Sequence, residues 1–241
     1  MIKITEFCTG CFACVSICPL QSILLQVNEF GELYPTIDQK KCVNCGMCTK
    51  VCPANSLVQG VKPEAVYAAY SKNLEIYKQS TSGGVSMEIA KMILSNGGIV
   101  YGTGMEGVRA NIIRVDSEKD LCLIQGSKYV QSHMNDAMQR IKKDLEAGKK
   151  VAFFGVPCQV AGVRNFFKKS VNGLYLIDIL CHGTPSQDCL LQGISLETEE
   201  EVVNVKFREN TKYCLSLTLS SGNVIKVPYR RSYWFNGFVE G

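Results

Sequence analysis

The sequence predicts two units in tandem: a small cysteine-dense α+β module and, behind it, an α/β domain with a mixed or mostly parallel sheet. Three observations predict this. Eight of the 13 cysteines lie between Cys8 and Cys52. Those eight form an internal repeat, Cys8-Thr-Gly-Cys11-Phe-Ala-Cys14-Val-Ser-Ile-Cys18-Pro19 against Cys42-Val-Asn-Cys45-Gly-Met-Cys48-Thr-Lys-Val-Cys52-Pro53. From about residue 65 the texture changes to strand-like apolar runs alternating with helical spacing, the pattern of βαβ units.

Between the two copies, residues 23–27 and 33–37 read as short strands flanking an Asn-Glu-Phe-Gly turn. A linker is expected over residues 60–63. Residues 65–70 read as a strand and 80–84 as a loop. Residues 85–95 have helical apolar spacing at Val85, Ile89, Met92 and Ile93, with Asn96-Gly97 as a stop. Strands are expected at 99–101 and 112–115, and a helix at 134–146 ended by Gly148. Residues 151–156, 159–167 and 174–180 read as strand, helix and strand, a βαβ unit with parallel strands. Residues 202–227 alternate like strands around Ser221-Gly222-Asn223, and an aromatic segment closes the chain. The expected units are residues 1–60, 65–148 and 149–241, the last two being parts of one larger domain.

The composition, with 46% hydrophobic and 20% charged residues, is that of a soluble globular chain. No apolar run approaches the ~20 residues of a membrane span, and the start Met-Ile-Lys-Ile-Thr-Glu has no apolar leader core. The expected compartment is the cytoplasm. The formal charge of +4 counts every cysteine as neutral. Basic residues are scattered, with no run and no interleaved aromatic stripe, so nucleic acid is not an expected partner.

Each repeat reads C-x2-C-x2-C-x3-C-P. Three cysteines at this interval wrap one cubane, and the fourth reaches the other cluster. Cys8, Cys11, Cys14 and Cys52 are therefore assigned to one 4Fe-4S cluster, and Cys42, Cys45, Cys48 and Cys18 to a second. Structural zinc is the competing reading, but zinc sites use pairs or pairs with histidine, and the first of the two histidines is His133. Disulfides compete less well in a chain without a leader. The module closely resembles the bacterial two-cluster ferredoxins, so the fold class is a ferredoxin-like two-cluster α+β module followed by the α/β domain.

Several loops of the second unit bear on chemistry. Ser80, Thr81, Ser82, Gly83 and Gly84 open a helix, where small residues and free N–H groups suit a phosphate or diphosphate; an ordinary N-cap by Thr81 or Ser82 is the plain alternative. Gly102, Gly104 and Gly107 match G-x-G-x-x-G, but a strand rather than a helix is expected after them, so a hairpin is the better reading. Cys158 is expected at a helix N-terminus, where thiol pKa falls, and Cys181 follows the next strand. Both belong at the C-terminal strand edge where such sheets bind ligands, and the pair could be half of a third cluster site or two unrelated thiols. Cys122, Cys189 and Cys214 are expected in the core. His182, beside Cys181, is the candidate for proton handling; His133 is expected at the surface. Trp234 with Tyr229, Tyr233, Phe235 and Phe238 reads as core packing.

Taken together, residues 80–84, Gly-Gly-Ile-Val-Tyr-Gly at 97–102, Gly-Ser-Lys-Tyr-Val-Gln-Ser at 126–132, Phe-Phe-Gly-Val-Pro-Cys-Gln-Val-Ala-Gly at 153–162 and Cys-His-Gly-Thr-Pro-Ser at 181–186 resemble the coenzyme F420 hydrogenase/dehydrogenase beta-subunit family. The resemblance covers about residues 65–241. It implies an FAD-binding α/β domain passing electrons between clusters and a hydride carrier, with Ser80, Thr81, Ser82, Gly83, Gly84, Ser127, Lys128 and Tyr129 on the flavin. It also implies a further C-x2-C after the segment at 229–241, joining Cys158 and Cys181 on a third cluster; no such pair is in this sequence. Use of coenzyme F420 does not follow from membership. The expectation is an iron–sulfur flavoprotein oxidoreductase subunit working with a redox partner protein or subunit. The alternative is a flavin-free electron-relay subunit serving a separate catalytic chain.

Overall fold

A computed structural model describes residues 7–55, 62–168, 170–209 and 212–239. The first half of the expected linker, at 60–61, lies outside them.

The cysteine module is built as the repeat demands. Helix α1 (Ala13–Ile17) follows the first three cysteines and α2 (Met47–Val51) the second three. Between them β1 (Ile23–Val27) and β2 (Leu33–Ile37) pair antiparallel, with Ile23 opposite Ile37 and Val27 opposite Leu33. Asn28 makes the turn, its side chain accepting from the N–H of Phe30 and of Glu32.

Residues 65–70 are not a strand. Val66, Tyr67 and Tyr70 are exposed on both faces, so the run has no sheet partner and no buried side. The segment instead runs alongside the 80–84 loop, where Ser71 N–H donates to the Gly83 carbonyl at 2.7 Å. Helix α3 (Leu74–Gln79) starts at Asn73, whose side chain accepts from the N–H groups of Glu75 and Ile76. Helix α4 (Val85–Ser95) buries Met87, Ala90, Ile93 and Leu94. Its apolar spacing is broader than that face: Met92, expected inside, is 57% exposed.

The main sheet has the order β4-β3-β5-β6. Strands β3 (Ile99–Glu106) and β4 (Arg109–Val115) form a hairpin closed by Gly107 at φ 63°. Gly102 and Gly104 lie within β3, so the glycine motif is strand and turn, not a dinucleotide loop. A 3-10 turn over Glu118–Leu123 leads toward α5 (Ala137–Glu146), which begins three residues later than expected, with Met134 wholly buried before it. Strand β5 (Val151–Gly155), helix α6 (Pro157–Phe167) and strand β6 (Leu174–Asp178) are the βαβ unit, and β3, β5 and β6 run parallel. β5 is buried at every position, as a central parallel strand should be.

Helix α7 (Gln187–Ser195) links this sheet to a second one, β7 (Val202–Glu209), β8 (Lys212–Leu219) and β9 (Val224–Pro228), all antiparallel. Gln187 ties the layers together, accepting from Ala110 N–H and donating to Val108 C=O. Helix α8 (Tyr233–Val239) places Trp234 and Phe235 in the core between α7 and this sheet. Tyr233 is 64% exposed, so the aromatic segment is only partly core.

The module docks on the α5–α6 side of the sheet, and one apolar cluster runs from Phe12, Ala13 and Val51 to Met138, Ile141 and Val163. Polar ties frame it. Gln139 donates to Ser16 C=O at 2.9 Å, and Asn165 to Val51 C=O at 3.1 Å. Ser186 donates to Phe30 C=O at 3.4 Å. No described helix is long and apolar enough to cross a membrane.

Candidate functional site

The eight repeat cysteines separate into two quartets. Cys8, Cys11, Cys14 and Cys52 line one cavity, and Cys18, Cys42, Cys45 and Cys48 line another. Their empty volumes are nearly equal, about 450 and 430 Å3. Each set takes three thiols from one copy of the repeat and the fourth from the other. No three His, Cys, Asp or Glu side chains among the described residues converge tightly enough to hold a single ion. The donor sets are all thiol and surround a space rather than a point, and that fits a cubane.

Backbone geometry repeats with the sequence. Gly10 (φ 64°) and Phe12 (φ 57°) adopt left-handed conformations, and so do their counterparts Asn44 (φ 54°) and Gly46 (φ 72°). Such reversals turn successive N–H groups into a concavity, the nest that anionic clusters favour. The Gly10, Ala13 and Val15 N–H groups reach the thiols of Cys8, Cys11 and Cys14. Phe12 carries its left-handed strain because its ring is locked in place, 97% buried and edge-on to the His133 ring at 6.0 Å.

The quartets differ in surroundings. Cys11 and Cys14 are buried. Burial pushes the Cys11 thiol up to about 11 and the Cys14 thiol to about 12, and raises Cys8 as well. A Cβ on Gly162 of α6 would stand 3.2 Å from Cys11 Sγ, so glycine lets the helix seat against this quartet. In the other quartet Cys45 is exposed, with Val43 and Leu20 exposed beside it. Burial also works upward on Cys18, but hydrogen bonds from the Ser22 hydroxyl and N–H outweigh it, and its pKa falls below the usual thiol value.

Cys158 and Cys181 are neighbours across the strand ends. A thiolate at Cys181 raises the pKa of Cys158, and Cys158 does the same to Cys11. Cys158 therefore stands between the inner quartet and the sheet edge. Its pKa is raised, contrary to the helix-terminus expectation, because burial outweighs the hydrogen bond from Thr9. Cys122 and Cys189 are exposed and Cys214 is half-buried, so none of the three is the core thiol expected. His133 is not a surface residue either. It bridges to Asn111 at the sheet edge, and its pKa is lowered by burial.

Beyond Cys181 opens a crevice with an empty volume of about 1280 Å3. Segments distant in sequence converge on it: residues 80–84, 125–129, Gly155-Val156 and 181–184. Every residue the resemblance places on a flavin, from Ser80 to Gly84 and from Ser127 to Tyr129, is on its wall. Gly83 has no room for a side chain, since a Cβ would meet Ala69 O at 2.7 Å, and Gly84 (φ 78°) starts α4 from a left-handed conformation. Thr81 and Ser127 hydroxyls bond across the crevice at 3.0 Å. Lys128 Nζ donates to Gln125 C=O at 2.8 Å, and desolvation lowers its pKa to about 8. His182 lies on the wall with its ring 5.2 Å from that of Phe238. From sequence Phe238 reads only as packing. No local signal marks it for the crevice, because the turn that delivers it comes from the second sheet.

The α6 N-terminus is held by Gln159. Its side chain accepts from Val156 N–H at 3.3 Å and donates to Ser132 O and Oγ at 3.1 and 3.0 Å. This fixes Cys158 between quartet and crevice.

Comparisons with known proteins find matches in both parts of the chain. Residues 7–56 match the model of a 4Fe-4S dicluster domain, and a second dicluster model aligns over residues 34–119. Residues 148–236 match the model of the C-terminal region of the coenzyme F420 hydrogenase/dehydrogenase beta subunit. Among solved structures, a chain of the F420-reducing [NiFe] hydrogenase complex from Methanosarcina barkeri is 21% identical, with a TM-score of 0.45. The match covers 68% of this chain and 61% of that one, so the present chain spans less than two thirds of its length. No curated protein matches. A 4Fe-4S dicluster module thus precedes a region similar to the C-terminal part of the coenzyme F420 hydrogenase/dehydrogenase beta subunit, and the chain is an iron–sulfur electron-transfer protein related to that subunit.

Proposed function

We propose that the chain is an iron–sulfur flavoprotein oxidoreductase subunit. Cys8, Cys11, Cys14 and Cys52 hold one 4Fe-4S cluster and Cys18, Cys42, Cys45 and Cys48 the other, while the crevice beyond Cys181 holds FAD. When bound, the clusters supply one-electron chemistry and the flavin joins it to two-electron hydride chemistry. The observation that carries the reading is a chain of neighbours: Cys158 lies within charge range of both Cys11 and Cys181, and Cys181 is on the crevice wall.

The protein's own residues supply placement. Gly162 and the apolar docking face bring the inner quartet against α6. The N–H-rich start of α4 and the hydroxyls of Thr81 and Ser127 suit a diphosphate. The Phe238 ring and the Gly155-Val156 segment would flank a ring system. His182, at the same wall, would be the group to exchange a proton with a bound ring. Exposed Cys45, with Val43 and Leu20 exposed beside it, suits approach of a redox partner protein to the outer quartet. Cys158 and Cys181 supply two thiols to a third cluster only if other residues complete the set.

The test is anaerobic purification, acid denaturation and assay of the released flavin. About one FAD per chain supports the reading. Iron and sulfide without flavin, even after incubation with excess FAD, would leave a relay subunit and remove the flavin half.

A further inference from the structure

The 80–84 and 125–128 segments have a second side. Across the Thr81–Ser127 hydroxyl bridge lies a separate pocket with an empty volume of about 1080 Å3. It shares Ser80, Thr81 and residues 125–128 with the crevice and adds the face of β7 and the end of α3. Its wall carries Lys78, Lys128, Lys206 and Arg208, and no acidic residue. Four cationic side chains bordering one concavity favour an anion there.

Among the described residues, no salt bridge reaches Lys78, Lys128 or Lys206. Glu209, the acidic neighbour of Arg208, is engaged by Lys226 at 2.5 Å. Arg208 is held in position by its own contacts. Its Nε donates to Tyr129 Oη at 2.6 Å, and the guanidinium stacks 4.0 Å from the Tyr213 ring centroid. Tyr129 also lines the crevice, so the arginine is braced from the flavin side. A pre-positioned guanidinium beside lysine ammonium groups is the donor set that phosphate oxygens favour.

We propose that this pocket is an anion site for phosphate-class groups, distinct from the crevice and communicating with it past Thr81 and Ser127. The anion is either the phosphate end of the molecule in the crevice or a separate phosphorylated compound bound beside it. In the first form the inference rests on the flavin reading; in the second it stands alone.

The full chain, reconstituted anaerobically, is titrated with riboflavin, FMN and FAD by flavin fluorescence, and with inorganic pyrophosphate alone by calorimetry. The same titrations are run on Lys78→Ala/Lys206→Ala, whose side chains are exposed and outside the packed core. If the anion is the flavin's own, FMN and FAD bind at least about tenfold tighter than riboflavin. The double variant erases that advantage without touching riboflavin, and pyrophosphate competes with FAD. If the anion is separate, pyrophosphate binds alongside any flavin, and the double variant weakens it at least about tenfold. Pyrophosphate binding without any flavin binding keeps the anion site and removes the flavin reading. Equal affinity for the three flavins, no pyrophosphate binding and an indifferent double variant overturn the proposal and leave the flavin reading standing.

Discussion

The two cysteine quartets are copies of one motif placed in opposite environments. Both take left-handed turns at the same two repeat positions. The inner quartet is walled by Phe12, α6 and the docking core, while the outer one borders exposed Val43 and Leu20. Thiol energetics follow: burial raises Cys8, Cys11 and Cys14, and Ser22 lowers Cys18. Identical sequence logic thus specifies a ligand set, and tertiary context decides what that set is for. One faces the crevice domain and the other faces outward.

The largest effect is expected from Cys14→Ser against Cys45→Ser. Each should halve iron from about eight to about four per chain. Only Cys14→Ser leaves a polar group buried against the core, at a further cost of about 1–3 kcal/mol. Its melting temperature should fall clearly below that of Cys45→Ser; equal melting temperatures would break the comparison.

Next is Gly162→Val. A β-branched side chain has no room beside Cys11 Sγ, and overpacking of this kind costs about 1–3 kcal/mol. Iron should be lost from the inner quartet while the outer keeps its own. Limited proteolysis should then separate module from domain, and an unchanged digestion pattern would show that this contact does not seat the module.

Three ligands of each quartet were legible because short-range spacing sets them, the fourth being supplied by the other copy of the repeat, and β5–α6–β6 was legible because a buried parallel strand and an amphipathic helix have local signatures. The sequence misled at residues 65–70, whose apolar side chains look strand-like but find no partner. Cys122 and Cys189 misled in the same way, since burial of a thiol depends on neighbours far away in sequence. The docking of the module and the arrival of Phe238 at the crevice were invisible, each being made by residues over 50 positions apart. The cationic pocket has the same origin, joining Lys78, Lys128 and Lys206 from three separate elements.

A smaller change is expected from Gln139→Ala. It removes the donor to Ser16 C=O and should cost about 0.5–1.5 kcal/mol, read as a lower urea midpoint with iron content unchanged. Smallest is Val43→Ala beside the outer quartet. At 68% exposure it should move stability by no more than about 0.5 kcal/mol. A larger loss would mean that the outer quartet is covered after all.

The most direct test of the crossed quartets is iron release to an anaerobic chelator, followed in the wild type, Cys18→Ser and Cys52→Ser. The account predicts two phases in the wild type, fast from the outer quartet, with its exposed Cys45, and slow from the inner one, with buried Cys11 and Cys14. Cys18→Ser should abolish the fast phase and Cys52→Ser the slow one, although each residue sits in the opposite copy of the repeat. The reverse pairing, or zinc in place of iron, would contradict it.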